Sequence, residues 1–528
     1  MYKKYSVCNS DELENLINST PDGKVCNLEK KEYYLTRRVQ IKNKNNITVD
    51  GTGAKIITKF VNSADYTKSA DAFLIEDCKN VTLQNFVFDT DVPVNMTLYV
   101  EDFNEKERTI TFKADDSFEA TGKEELIAFG SIDEEGSYDY KLHRYCAHPN
   151  NANMAQLMQD EILLLAVYSG VEYDYLGNGR YKIVFNNQDY SKVFKGQKVC
   201  ARHTMYGPCV ITVRNSDDTC LKDITINSAP GMGIIVLARS NNMVIDGLKM
   251  VLPKGSKSLM AGNCDGIHLA GLTGKFVLKN SVFDGLGDDA LNIHATAGTV
   301  TDILSDNKIK CNYCKKSNDG ILPKRWCRKG DEIRIFDPET LQVTAKLKTV
   351  SFEGEYLEYE LIEGSFKIGD MMQNAAVTPE CIVESCNVRN TKARGLLFQT
   401  ENIEINNCEF YGTPDAGVMF APAFKQWYEV GPAHNVKICN NKFEKCGFSG
   451  GITPAILVNT SHSRINDGVK HLHSNFVIEN NTFVNCPEAL IEMYATDNIV
   501  IKNNNFVGRQ GRDDNINLVN CEDVFIDN

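Results

Sequence analysis

The chain has 528 residues, 24% of them charged, and a formal net charge of −13. A field of that sign repels phosphates, so neither nucleic acid nor an anionic membrane is expected as a partner, and an electroneutral ligand fits better. Its 18 cysteines are scattered through a long chain rather than packed into a small disulfide-rich one; many, such as Cys408, Cys439 and Cys486, fall in apolar strand-like stretches that point to buried free thiols.

The amino-terminal Met1-Tyr2-Lys3-Lys4-Tyr5-Ser6-Val7 lacks an apolar signal-peptide core, and no uncharged run reaches the roughly 18 residues needed to cross a bilayer. A cytoplasmic location is therefore the expectation, or secretion if a leader has been trimmed. Helical periodicity is nearly absent, apart from a short segment from Asp11 to Ile17 placed to cap a first coil.

One pattern then recurs: Asn, alternating apolar residues, an Asn pair or its equivalent, and an aromatic or aliphatic residue. Asn80-Val81-Thr82-Leu83-Gln84-Asn85-Phe86 is the first copy, and Asn402 to Phe410, Asn435 to Phe443 and Asn498 to Phe506 repeat it. Phe506 follows Phe483 by 23 residues. Short alternating strands that each end in Asn suit stacked coils, because Asn tolerates the left-handed conformation at a tight corner and its amides can ladder from coil to coil. A sandwich or propeller does not repeat at this period, so the fold class predicted is all-β, a right-handed parallel β-helix.

The repeat stops twice. Between about Val94 and Cys200 it gives way to charged alternation such as Arg108 to Lys113 and to hairpin punctuation at Leu176-Gly177-Asn178-Gly179-Arg180. Between about Gly298 and Ala375 the same happens, with Lys329 to Phe336 and Glu353 to Tyr359. Both stretches read as small antiparallel β-barrel modules inserted in helix loops, walling a cleft, mediating assembly or shielding coil edges. The partition is therefore 1–93 for the first coils, 94–205 for one module, 206–297 for coils bearing acidic motifs, 298–375 for the second module and 376–528 for the last coils.

Asn263-Cys264-Asp265-Gly266-Ile267-His268 is followed by Gly287-Asp288-Asp289-Ala290-Leu291-Asn292-Ile293-His294, so Asp265 precedes Asp288 and Asp289 by 23 and 24 residues. One β-helix coil consumes roughly 20 to 30 residues and rises about 4.8 Å, which gathers three carboxylates into one patch. Crowding keeps one such carboxyl protonated as an acid while another stays ionised as a base, the pair that glycosidic hydrolysis requires. Asp288 and Asp289 cannot both project from one face of a regular strand, so one belongs at a bulge or strand end.

His268 and His294 either orient a carboxylate and donate to sugar hydroxyls or are structural rings satisfied by a neighbouring coil. Nothing has the close spacing of a zinc motif, and neither a metal nor a cofactor is expected; Cys311-Asn312-Tyr313-Cys314 with Cys327 lacks a clear fourth ligand. Arg394 and Gln399 are candidates for hydrogen bonds in the same groove. Trp427 beside Glu429, in a loop between strand copies, offers an aromatic face for a sugar's C–H surface and a carboxylate for its hydroxyls, or simply covers a coil end.

Taken in order, Asp-Gly-Ile-His, Gly-Asp-Asp-x-x-Asn-Ile-His, Arg394-Gly395-Leu396-Leu397-Phe398-Gln399-Thr400 and Trp427-Tyr428-Glu429-x-Gly431 resemble glycoside hydrolase family 110. The resemblance covers essentially the whole chain, barrel insertions included. It implies an inverting exo-α-galactosidase that removes terminal α-1,3-linked galactose from blood-group-B-type or linear glycans. It also implies that Asp265, Asp288 and Asp289 match the catalytic aspartates, with acid and base unassigned. The expected partner is a galactose-terminated oligosaccharide or glycoconjugate. Two rivals remain, a polygalacturonase-like β-helix hydrolase and a non-catalytic glycan-binding β-helix. The first calls for basic subsites and a Gly-His-Gly motif that this sequence lacks, and the second has no use for an Asp-Asp pair one coil from a third Asp.

Overall fold

A computed structural model describes residues 4–61, 69–120, 122, 127–129, 131–132, 138–139, 163–164, 166–170, 173–184, 193–196, 198–204, 207–313, 322, 325–424, 427–447, 453–461, 468–486, 489–509 and 513–528. Each coil contributes one short strand to each of three parallel sheets. Strands such as Asn45–Asp50 and Lys79–Gln84 stack into a first sheet of twelve, Lys55–Thr58 and Val87–Thr90 belong to a second of eleven, and Val39–Lys42, Phe73–Glu76 and Ile211–Arg214 begin the third. The chain is a right-handed parallel β-helix, as its repeat requires.

Asparagine makes the corners. Asn407, Asn440, Asn480 and Asn503 all have φ between 53° and 59°, a region that costs most residues about 1–2 kcal/mol. Each is followed three residues later by the buried phenylalanine of the next strand, Phe410, Phe443, Phe483 and Phe506. Beside them runs an amide stack in which Asn441 Nδ2 donates to Asn481 Oδ1 at 3.0 Å, Asn481 to Asn504 at 3.0 Å and Asn504 to Asn528 at 2.9 Å. The side chains of Asn441, Asn481 and Asn504 are buried, so each of these amides left without its neighbour would lose a hydrogen bond away from water. Inside, identical residues align: Phe410, Phe443 and Phe483 stack nearly parallel at 4.9 and 5.0 Å between ring centroids. Ile405, Ile438, Ile478 and Ile501 are all fully buried, each worth about 1.5–3 kcal/mol of transfer free energy.

The helix Ser10–Ser19 lies against the first coil and buries Leu13 and Ile17, the apolar face foreseen from Asp11 to Ile17. Of the sixteen described cysteines eleven are buried, among them Cys311 and Cys327, while Cys314 lies outside the described residues.

The first insertion leaves the helix at the corner between the second and third sheets. Its strands Asn95–Asn104 and Lys198–Arg202 pair antiparallel as a stalk, within an eight-stranded sheet that carries its own apolar core. Asp174–Gly177 and Arg180–Val184 form the hairpin marked by the Gly-Asn-Gly run. The second insertion grows out of a strand of the third sheet. Leu291–Ser305 pairs with coil neighbours over its first four residues, then continues into a six-stranded closed barrel with Lys308–Asn312, Tyr356–Gly364, Val343–Glu353, Glu332–Phe336 and Met371–Asn374. A buried ion pair between Arg239 of the helix and Asp331 of the barrel joins the two bodies.

Candidate active site

The acidic motifs occupy successive turns between the second and third sheets. Asp265 stands just ahead of the strand Ile267–Ala270, and Asp288 and Asp289 just ahead of Leu291–Ser305. The strands pair in register, Ile267 opposite Leu291 and His268 opposite Asn292. Alternation then does the sorting: Ile267, Leu269, Leu291 and Ile293 enter the core, while His268, Asn292 and His294 face outward. Both aspartates of the Asp-Asp pair precede the strand, where the backbone is free of the pleat that would have turned one of them inward.

The closest side-chain oxygens of Asp265 and Asp288 lie within 4.8 Å of each other. Adjacent coils hold these two turns side by side, about one strand spacing apart. Asp265 is only 4% exposed, and its Oδ2 is 2.6 Å from His268 Nδ1. Burial drives the Asp265 carboxyl well above the usual carboxylate range, and the neighbouring charges of Asp288 and Glu429 add to this against the opposing pull of Arg394. Asp289 is 1% exposed and accepts from the Arg394 backbone N–H at 3.0 Å and its guanidinium at 2.7 Å. Burial works against the Arg394 charge, but Asp289, helped by Asp288, raises its pKa overall and holds the guanidinium ionised.

The histidines interlock across the coils. His268 Nε2 meets His294 Nε2 at 2.9 Å with the rings edge to face, and His294 Nδ1 lies 3.0 Å from the Ala295 carbonyl. Burial pushes both rings below the ordinary histidine pKa. Glu429 closes the cluster: Asn292 Nδ2 and Gln399 Nε2 donate to its Oε2 at 3.2 and 3.3 Å, and its Oε1 sits 3.6 Å from His294 Nε2. What fixes Glu429 is backbone pairing, since Glu429–Val430 forms an antiparallel bridge to Ala295 and Thr296. Gly431 lets that loop pass, for any side chain there would collide with the Gln399 carbonyl.

Eight of the nine candidate residues are therefore in one cluster: Asp265, Asp288, Asp289, His268, His294, Arg394, Gln399 and Glu429. Trp427 stands two residues from Glu429 in the chain and is 39% exposed. Sequence reasoning quoted Asn292 within its motif but gave it no role; its place one residue pair ahead of His294 on an outward-facing strand was the available signal. His268, His294 and Glu429 bring their ligand-type atoms within 4.8 Å of one another, as do Cys264, Asp265 and Asp288, so the first group has the donors and spacing to take a divalent ion.

With this geometry in view, the comparisons are informative. A family model described as "Right handed beta helix region" matches residues 357–521. Alpha-1,3-galactosidase B of Bacteroides thetaiotaomicron is 23% identical over 523 residues, spanning 94% of this chain and 82% of that protein. The chain is thus similar, nearly along its whole length, to a protein named α-1,3-galactosidase. Alpha-1,3-galactosidase A of the same bacterium is 29% identical over 331 residues, which cover 60% of this chain and 56% of that relative. A family 28 exopolygalacturonase from Yersinia enterocolitica is 13% identical with a TM-score of 0.44, covering 98% of this chain and 75% of that one, a likeness too loose to carry an argument. These curated relatives are glycoside hydrolases by name, and the motif order that resembled family 110 is present in a chain aligned with one of them almost end to end.

Proposed function

We propose that the chain is an exo-acting glycoside hydrolase that removes a terminal α-1,3-linked galactose from an oligosaccharide or glycoconjugate, with inversion. The observation that carries this reading is the buried Asp265 carboxyl set against Asp288 on the next coil, beside a cluster of hydrogen-bonding side chains. Asp265, driven toward its protonated form by burial, serves as the proton donor to the departing oxygen, and Asp288, half-buried, activates the water. Asp289 holds Arg394 rather than a substrate proton.

The remaining groups suit a neutral hexose. Glu429 with Asn292 and Gln399, and the His268–His294 pair, offer a carboxylate, amides and imidazoles to ring hydroxyls. A polyuronide would bring its own carboxylates, and the guanidinium in this cluster, Arg394, is already paired with Asp289. Inversion rests on the family resemblance.

The test is a substrate panel: an aryl α-galactoside, an α-1,3-linked digalactoside, a blood-group-B trisaccharide and polygalacturonate. Release of galactose from the first two, with none of polygalacturonate cleaved, is the result expected. Cleavage of polygalacturonate would favour the rival hydrolase, and sugar binding without turnover on every substrate would make the chain a glycan-binding β-helix.

A further inference from the structure

The deepest cation near the carboxylates is not one of the candidate residues. Arg202, the last residue of the first insertion's stalk, is fully buried. Its Nη1 donates to the backbone carbonyl of Asn263 and, at 3.2 Å, to that of Gly287. Those carbonyls sit immediately before Cys264-Asp265 and before Asp288, one on each acidic turn. A single guanidinium nitrogen therefore bridges the two turns that carry the proposed acid and base.

Other contacts from the same stalk converge there. Asn263 Nδ2 donates to the carbonyls of Val94 and Thr204 at 2.8 and 3.0 Å, on the outgoing and returning sides of the stalk. Asn95, directly opposite Arg202 in the strand pairing, donates through Nδ2 to the Met260 carbonyl at 2.9 Å and to Asn263 Oδ1 at 3.3 Å. Position 287 is glycine for the same reason: a side chain there would strike both the Asn263 carbonyl and Arg202 Nη1.

We propose that Arg202 is a positioning residue for hydrolysis, and that the first insertion acts as a buttress whose stalk sets the separation of Asp265 and Asp288. Backbone bonds of 2.8 Å from Gly287 N to the Gly262 carbonyl and from Gly266 N to the Asp289 carbonyl join the turns on either side of Asp265, and between them the carbonyls of Asn263 and Gly287 depend on Arg202. A permanently charged Nη1, held at the end of a planar, fully buried guanidinium and shared between the two carbonyls, ties them together, and a lysine ammonium on its more flexible stem reproduces the placement incompletely. The insertion thus has a task at the reacting centre without touching substrate.

This inference rests on Asp265 and Asp288 being the reacting pair, so Asp288→Asn is measured alongside. In the full chain, Arg202→Met keeps the bulk of the side-chain stem and deletes the donors, and Arg202→Lys keeps the charge and a single donor nitrogen. For Arg202→Met, kcat should fall at least about tenfold with KM changed less than about threefold, and the pH profile of kcat/KM should move, because carboxyl spacing governs how the pair shares a proton. Arg202→Lys should recover part of both effects. If Arg202→Met is not obtained folded, Arg202→Lys carries the test through the same two readouts. A folded variant with native kcat and an unmoved pH profile overturns the proposal, as does a loss of activity that only tracks the folded fraction. Full activity in Asp288→Asn would instead overturn the reading of the pair itself.

Discussion

His268 Nε2 and His294 Nε2 face each other at 2.9 Å, so one ring supplies an N–H and the other a lone pair. The Ala295 carbonyl settles which, because it only accepts: His294 carries its proton on Nδ1, leaving Nε2 as the acceptor for His268 Nε2–H. With both rings neutral, His268 Nδ1 then presents a lone pair to Asp265, which must be the donor at 2.6 Å. Hydrogen-bond polarity and burial thus agree that Asp265 holds a proton.

Asp265→Asn should cut turnover by at least about a hundredfold, the usual contribution of a positioned acid. It should also stabilise the fold at neutral pH. A carboxyl whose folded pKa is raised binds its proton more tightly in the native state, so stability is lost as pH rises from the unfolded carboxylate value toward the folded one. The amide escapes that loss. Melting temperatures of both proteins at pH 4 and pH 7 check it: the advantage of the variant should grow with pH.

The first product from an α-galactoside should be β-galactose. Proton NMR of the anomeric signals in the first minutes, before mutarotation, reads this directly. If α-galactose came first, single displacement would be excluded and one of Asp265 and Asp288 would be a nucleophile.

Trp427→Ala should raise KM by an amount equivalent to about 1–3 kcal/mol, the loss of a stacked aromatic face. Unchanged kinetics with a lower melting temperature would assign the indole to packing instead.

Zinc should inhibit. His268, His294 and Glu429 are close enough to share one ion, which would occupy the place of a sugar hydroxyl. Activity should fall with added Zn2+ and return with chelator, and His294→Ala should blunt the effect relative to its own basal rate.

His473, on a later coil, accepts from the Ala433 N–H at 2.9 Å and donates to the Asn459 carbonyl at 3.0 Å, and burial lowers its pKa to about 3. Its folded pKa lies below the unfolded one, so the native state gains nothing above pH ~6.5 and loses stability as pH falls from there toward 3. His473→Gln should narrow the drop in melting temperature between pH 7 and pH 4.

The helix was legible in the sequence because its corners are chemically marked: a residue with φ near +55° at fixed intervals selects Asn, and the alternation after it selects the core face. The acidic cluster was legible because coil period converts sequence spacing into adjacency, which brought Asp265 next to Asp288. Glu429 could be named but not placed, since the bridge to Ala295 and Thr296 that aims it follows from a loop closing over a strand rather than from any repeat. Arg202 left no mark at all, because its partners are backbone carbonyls, which every residue possesses.

The strand Leu291–Ser305 begins as one rung of the third sheet, presents Asn292 and His294 outward, receives Glu429 at Ala295 and Thr296, and ends as a stave of the barrel. No hinge separates these duties. The barrel is therefore no detachable accessory: excising it would cut the same continuous backbone that aims the histidine and the glutamate. A tilt of the barrel against the coils would register at Asn292, His294 and Glu429 within a few residues, so whatever rests on that outer body has a mechanical path to the acidic cluster.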